Sequence, residues 1–205
     1  MTDYHFFATV SRMKYINRWA LMRNSRLENL SEHSLEVAMI THALCTIGNV
    51  RYGKHLNSEK ACLMAIYHDA SEIITGDLPT PVKYYSEEIK DAYKTVEAVA
   101  EDQLLNQLPE DLRPYYASII KEDDDSENQL LRRYVKAADK LSALIKCIEE
   151  EHSGNTEFKT AAVSTRNSIM EMVEEIPEIQ DFILEFLPSY GSTLDELLSR
   201  EEKAL

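Results

Sequence analysis

The chain has 205 residues, 44% hydrophobic and 28% charged, with a formal net charge of −14. A chain of this length buries about 70% of the surface its unfolded form exposes, so its core requires neither disulfides nor a structural metal. The acidic balance argues against nucleic acid or an anionic membrane as partner, because affinity for either rests on clustered Lys and Arg. An anionic ligand would need a local positive site. Gly (5) and Pro (6) are scarce, which disfavours the turn-rich all-β architectures. Neither G-x-G-x-x-G nor G-x-x-x-x-G-K-[ST] occurs. The odd set Cys45, Cys62 and Cys147 contains no C-x-x-C and reads as three reduced thiols in a cytoplasmic protein. The N-terminus lacks the pattern of a signal peptide, and no run approaches 18 apolar residues.

The elements read as helix after helix, an all-α fold in a single domain over residues 1–205. Residues 3–13 form a short helix, and 14–30 have no clean period and read as an irregular connection. Ser31 is placed as the N-cap of a helix to about Ile47, with Leu35, Met39, Ala43 and Ile47 on its inward stripe. Ser58 caps a largely buried helix to about Thr75, carrying Ala61, Cys62, Ala65, Ile66 and Ile73, and Gly76 stops it. The following GDLPTPVKYY is a loop stiffened by Pro79 and Pro81. Residues 86–107 form an amphipathic helix with Ile89, Tyr93, Val96, Val99, Ala100 and Leu104 inward. Pro109 and Pro114 bracket a turn or helix start, and KEDDDSEN at 121–128 is a solvated connection. Helices follow over 127–152, 155–175, 178–187 and 193–203.

Three features carry chemistry. His68-Asp69 lies on a predicted buried helix, where such a pair is costly unless it is hydrogen-bonded or liganded. Imidazole nitrogen and carboxylate oxygen both coordinate divalent metals. Glu72, one turn on, shares their side of a regular helix. Taken alone, the dipeptide is equally at home on a solvent-facing helix. His33, in the first turn of its helix, fits a capping or core role as well as a ligand. Asp139 sits among Val135, Ala138, Ala143 and Leu144, and its alternatives are an ion pair with Lys136 or Lys140, or a cation.

Together these residues make the ordered set H…HD…D, one group per predicted helix, with 35 residues from His33 to His68 and 70 from Asp69 to Asp139. That is the pattern of the His-Asp (HD) superfamily of metal-dependent phosphohydrolases. HFFATVSRMKYINRWALMRN, ENLSEHSLEVAM, YHDASEIITGDLPTPVKYY and VKAADKLSALIKCIEE occur in order. They resemble the bacterial HD-domain 5′-deoxynucleotidase family over most of the chain. INRW, SEHS, YHDASE and GDLPTPVK are specific to that branch, whereas the bare H…HD…D set belongs to the whole superfamily. No ligand position departs from the pattern.

The resemblance implies that His33, His68, Asp69 and Asp139 bind one divalent ion. Mixed N/O ligation suits Mn²⁺, Co²⁺ or a similar ion, and no Cys lies near the set to make a closed thiolate zinc site. It also implies a catalytic Glu72, and substrate contacts from Arg18, Trp19, His33, Asp69, Asp77, Leu78, Pro79, Thr80 and Asp139. The implied reaction is hydrolysis of deoxyribonucleoside 5′-monophosphates to nucleoside and phosphate, with little selection of the base, by a cytoplasmic homodimer. The competing readings are an HD phosphohydrolase acting on another nucleotide phosphoester, and a non-enzymatic helical scaffold. A binuclear phosphodiesterase would need further His ligands between the HD pair and Asp139, and no His occurs from 70 to 151. A scaffold would be expected to have lost Glu72 or Arg18, and both are present. Lys83 is a surface lysine or a second phosphate contact, and Tyr84 and Tyr85 are candidates for closing the site or for a subunit contact.

Overall fold

The computed structural model describes residues 3–83 and 85–199, Thr80 by its backbone only. Among these residues there is no strand, only an isolated antiparallel bridge between Asn17 and Asn29. The helices are α1 (Phe6–Val10), α2 (Leu30–Arg51), α3 (Ser58–Tyr67), α4 (Glu72–Thr75), α5 (Thr80–Lys83), α6 (Glu87–Leu105), α7 (Arg113–Ile120), α8 (Ser126–His152), α9 (Lys159–Met170), α10 (Glu178–Glu185) and α11 (Leu194–Leu198), with short 3₁₀ turns at Ser11–Tyr15, Thr156–Phe158 and Leu187–Ser189. No described helix is long and apolar enough to cross a membrane.

The frame is built on α2 and α8. They pack on each other, α3 lies against both, and α9 and α10 flank them. Their shared core holds Val37, Ile40, Leu44, Ala61, Met64, Leu131, Tyr134, Leu141 and Ile145, all nearly sealed from solvent. Burying each large apolar side chain contributes about 1.5–3 kcal/mol. A second, smaller core joins α1, α6 and α7 through Phe6, Leu104, Leu105, Leu108 and Ile120. It reaches Ala70, directly after the His-Asp pair, and Phe6 stacks on Tyr116 at 5.1 Å. The His-Asp turn is therefore pinned between two cores.

Several sequence expectations need correction. The cap of α2 is Asn29, not Ser31: the Asn29 carboxamide accepts from the amides of Ser31 and Glu32, and the Glu32 carboxylate closes a capping box. Asn57, not Ser58, caps α3. On α2 the buried stripe is Val37, Ile40, Leu44 and Ile47, while Leu35 and Met39 face outward at 59% exposure each. Ile66 of α3 is exposed, and Ser58–Thr75 is not one helix: His68–Ser71 is a turn between α3 and α4. On α6 only the C-terminal end is packed, so Ala100 and Leu104 are buried but Ile89, Val96 and Val99 are exposed. The 155–175 helix divides into a 3₁₀ turn and α9. The expected 193–203 helix is described only as Leu194–Leu198, and its end past residue 199 lies outside the described residues.

The irregular 16–29 connection is fastened to α8 by a buried pair. Lys146 and Glu150, one turn apart on α8, bond each other. Lys146 Nζ donates to the Arg26 carbonyl at 2.6 Å, and Glu150 accepts from the Ser25 amide at 2.8 Å and the Asn155 side chain at 2.7 Å. Burial opposes ionisation of Glu150, but these donors outweigh it and hold its pKa at about 2. A carboxyl depressed in the folded state stabilises fully above its unfolded value, and that contribution is lost as pH falls toward 2. Glu150→Ala strands the Lys146 charge and should cost about 3–5 kcal/mol in urea unfolding at neutral pH. The deficit should shrink below about pH 4, where the wild type loses the same contribution.

Candidate active site

Two histidines from different helices meet at the α2–α3–α8 junction. His33, fully buried in the second turn of α2, and His68, at the end of α3, have ring centroids 5.2 Å apart. One nitrogen of each is already assigned. His68 Nδ1 lies 2.7 Å from the Ala65 carbonyl, which can only accept, so Nδ1 carries the proton. His33 Nδ1 lies 3.1 Å from Ser142 Oγ, whose own proton goes to Glu36. A hydroxyl has one proton to give, so His33 Nδ1 also donates. In the neutral form of each ring Nε2 then presents its lone pair to the junction, and both Nε2 atoms are buried without a hydrogen-bond partner.

Carboxylates meet them there. Asp139 Oδ1 lies 3.1 Å from His33 Nε2, and Asp69 Oδ2 lies 3.1 Å from His68 Nε2 and 3.5 Å from His33 Nε2. Ligand atoms of His33, His68 and Asp139 fall within 4.8 Å of one another. Two nitrogen lone pairs facing two carboxylates repel unless a cation lies between them, so this donor set fits a divalent ion. Burial opposes charge on Asp69 and Asp139, yet imidazolium at His68 and His33, which a bound cation would replace, and the Arg18 guanidinium prevail. Asp69 stays well below the ordinary carboxylate range and Asp139 at about 2. The lysine pairing of Asp139 weighed from the sequence is not what the structure shows. Asp139 faces His33 and Arg18, and Lys136 instead lines a cavity of about 760 Å³.

That cavity opens onto His68, Asp69 and Asp139 between α6 and α8. Lys94 and Lys136 also line it, and neither makes an ion pair among the described residues. The volume is that of an ordinary small-molecule pocket. Here a strongly acidic chain presents free cations beside its carboxylates.

Arg18 and Trp19 come from the irregular connection. Arg18 Nη1 stands 3.7 Å from Asp69 and 3.9 Å from Asp139. Trp19 has φ 56°, the left-handed region, which costs a bulky residue about 1–3 kcal/mol. Tertiary contacts hold it there. Trp19 Nε1 donates to Glu28 Oε2 at 3.1 Å, its ring meets Phe158 edge-on at 5.4 Å, and its carbonyl accepts from Met22 N at 2.9 Å. Burial raises the pKa of nearby Asp77, and the Arg18 guanidinium works against that rise. Glu28 serves both substrate candidates, because its Oε2 is also 3.5 Å from Arg18 Nε.

Glu72 opens α4. The turn before it runs on i→i+3 bonds, with the Ala70 amide to Tyr67 O at 3.0 Å and the Glu72 amide to Asp69 O at 3.0 Å. In that tighter geometry residues three apart are eclipsed, which sets Glu72 in line with Asp69. Glu72 is 8% exposed, and its Oε2 is buried and unpartnered. Burial raises its pKa to about 9, with Asp69 and Asp77 adding to the effect.

The structure thus gathers Arg18, His33, His68, Asp69, Glu72 and Asp139 and sets Trp19 and Asp77 beside them. Leu78 and Pro79 are half-buried in the loop, where the Pro79 carbonyl accepts from the Val82 and Lys83 amides at 2.8 and 3.1 Å. Thr80 opens α5, so this end of the expected loop is helical. Lys83 lines the cavity but is paired with Glu97 at 2.8 Å. Tyr85 is exposed, and Tyr84 lies outside the described residues. Three residues escaped the sequence reading: Glu28, Glu36 and Ser142. For the last two a signal existed, since Glu36 lies three residues from His33 and Ser142 three from Asp139.

A family model described as 5′-deoxynucleotidase YfbR-like matches residues 5–190. A 5′-deoxynucleotidase of Erwinia tasmaniensis is 49% identical over 197 residues, covering 96% of this chain and 98% of its own. The 5′-deoxynucleotidase YfbR of Salmonella paratyphi B is 47% identical over 96% of this chain and 97% of its own. Among solved structures, an HD-domain phosphohydrolase from Listeria innocua superposes with a TM-score of 0.74 at 25% identity, covering 91% of this chain and 88% of that one. The cyanophage S-2L HD phosphohydrolase DatZ, bound to dA and one catalytic Zn²⁺ ion, shares the fold with a TM-score of 0.62 at 19% identity, over 90% of this chain and 95% of that one. The chain belongs to the YfbR-like 5′-deoxynucleotidase family, on an all-helical HD-domain phosphohydrolase fold.

Proposed function

We propose that this chain is a phosphoric monoester hydrolase that converts deoxyribonucleoside 5′-monophosphates to deoxyribonucleoside and phosphate. The observation that carries this reading is the convergence of His33, His68, Asp69 and Asp139, with two unpartnered buried imidazole nitrogens, beside Arg18. Those four residues would hold one divalent ion, Mn²⁺ or Co²⁺, which when bound lowers the pKa of water and offsets charge on phosphoryl oxygens.

The chain's own residues do the rest. Arg18 lies against both aspartates, so its guanidinium can turn from them to clamp phosphate oxygens. Glu72 is the buried group placed to hold or move a proton at its free Oε2. Asp77, half-buried at the start of the loop, can accept from the sugar 3′-hydroxyl. The Pro79–Pro81 segment, stiffened by prolines and by the bonds to the Pro79 carbonyl, leaves no play for a 2′-hydroxyl. Lys94 and Lys136 are the lining cations open to an anion, in a cavity that Glu97, Glu101, Glu122 and Asp123 also line. One HD domain spanning residues 1–205, little base selection, a homodimeric assembly and a cytoplasmic location go with this reading through the family resemblance.

Arg18→Ala should lower kcat/KM about 10–100-fold, the equivalent of about 1.5–3 kcal/mol for a charge-assisted contact. Unchanged kinetics would remove Arg18 from the site. The reaction itself is tested by phosphate release with Mn²⁺ or Co²⁺ from dAMP, AMP and dATP in parallel. Release from dAMP well above AMP, with little from dATP, is the expected result. Equal release from dAMP and AMP would overturn the sugar selection, and release from none would overturn the reaction.

A further inference from the structure

We propose that Ser142 and Glu36 are positioning residues that hold His33 in its metal-binding form through a two-bond relay. The inference rests on the reading of His33 as a ligand, and it concerns two residues outside the donor set.

The geometry is a chain across the two central helices. His33 Nδ1 lies 3.1 Å from Ser142 Oγ, and Ser142 Oγ donates to Glu36 Oε2 at 2.5 Å. His33 and Glu36 are three residues apart on α2, and Asp139 and Ser142 three apart on α8. Each helix therefore supplies one donor to the site and one support behind it. Ser142 is fully buried, wholly removed from solvent together with His33. Among the described residues the Ser142 proton goes to Glu36 Oε2, at the edge of that interior.

The direction of the chain fixes its function. Glu36 as a carboxylate only accepts, so the hydroxyl proton of Ser142 points to it. The hydroxyl oxygen is then free only to accept, and the nitrogen facing it is His33 Nδ1, which must be protonated. Nε2 is left with its lone pair toward Asp69 and Asp139, where an ion would lie. The carboxylate at the far end makes Ser142 a better acceptor and the imidazole a better donor of electron density to a metal. His68 reaches the same state differently, through the Ala65 carbonyl. A backbone carbonyl cannot be mutated away, so the relay is the adjustable half of the imidazole pair. A simple packing role for Ser142 would not require a carboxylate 2.5 Å behind it, partly withdrawn from water.

The test is Mn²⁺ or Co²⁺ titration of metal-free protein by calorimetry, beside thermal melts of the same metal-free proteins. Ser142→Ala and Glu36→Ala should each weaken the ion's Kd about 10–100-fold. Glu36→Gln, which keeps a neutral acceptor, should lie between Glu36→Ala and wild type. Because Glu36 acts only through Ser142, the double variant should bind no more weakly than Ser142→Ala. Additive losses, or variants that melt lower yet bind the ion like wild type, would overturn the relay. His33→Ala separates the two claims. If it leaves the Kd unchanged, the ligand reading fails. If it abolishes binding while Ser142→Ala and Glu36→Ala bind normally, only the relay fails.

Discussion

Glu72→Gln should lower kcat by about 10²–10⁴-fold, the range a positioned acid–base group contributes. Its Kd for Mn²⁺ should stay within about threefold of wild type, inside the range of a residue that is no ligand. Glu72 follows Asp69 by one i→i+3 step, close enough to share a reaction centre with the donor set. It lies outside the converging group of His33, His68 and Asp139, and its Oε2 is sealed from solvent with no partner. A buried carboxyl oxygen without a donor destabilises the fold, and such a group persists where it serves a site. The substitution keeps shape and removes the ionisable proton, so the fold should survive. Near-normal kcat would take Glu72 out of the proton transfer, and loss of Mn²⁺ affinity would make it a ligand instead.

Asp69→Ala and His68→Ala should lose the ion and turnover together. The loss of affinity should exceed the roughly 10–100-fold that outer partners of a metal site account for. Asp69 Oδ2 stands within 3.5 Å of both histidine Nε2 atoms, so it is the oxygen that joins the two helices' ligands. Removing it also leaves Arg18 with one facing aspartate instead of two. The metal-free Asp69→Ala protein should melt below wild type, because the substitution removes a carboxylate that His68, His33 and Arg18 stabilise in the folded state. Calorimetric titration and phosphate release on one preparation check both halves. Metal binding retained with activity gone would move Asp69 from the ligands to the substrate contacts.

The candidate ligands His33, His68, Asp69 and Asp139 were legible as an ordered set through the family resemblance, because each alone suited a cap, a core, a solvent-facing helix or an ion pair. The fold brings them to one junction. Their surroundings were harder to read. Asn29 and Ser31 are both good caps, and only the Glu32 three residues after Asn29 distinguishes them. α2 is packed on most of its circumference, so two apolar stripes compete, and tertiary partners rather than periodicity turned Leu35 and Met39 outward. Val96 and Val99 repeat at helical spacing, but the second core reaches only the last turns of α6. The left-handed Trp19 has no local signature, because it is held by Glu28 and by Phe158, the latter distant in the chain. The break at His68–Ser71 was hidden too, since its residues are compatible with continuous helix. The relay through Ser142 requires two helices to meet, and no single segment contains it.

The central claim is that one divalent ion lies among His33, His68, Asp69 and Asp139. Its most direct test is anomalous diffraction from crystals of the full chain grown with Mn²⁺. The account predicts a single strong anomalous peak within coordination distance of both histidine Nε2 atoms and of a carboxylate oxygen from each aspartate. A peak bound elsewhere, or bound without the two histidines, would contradict it.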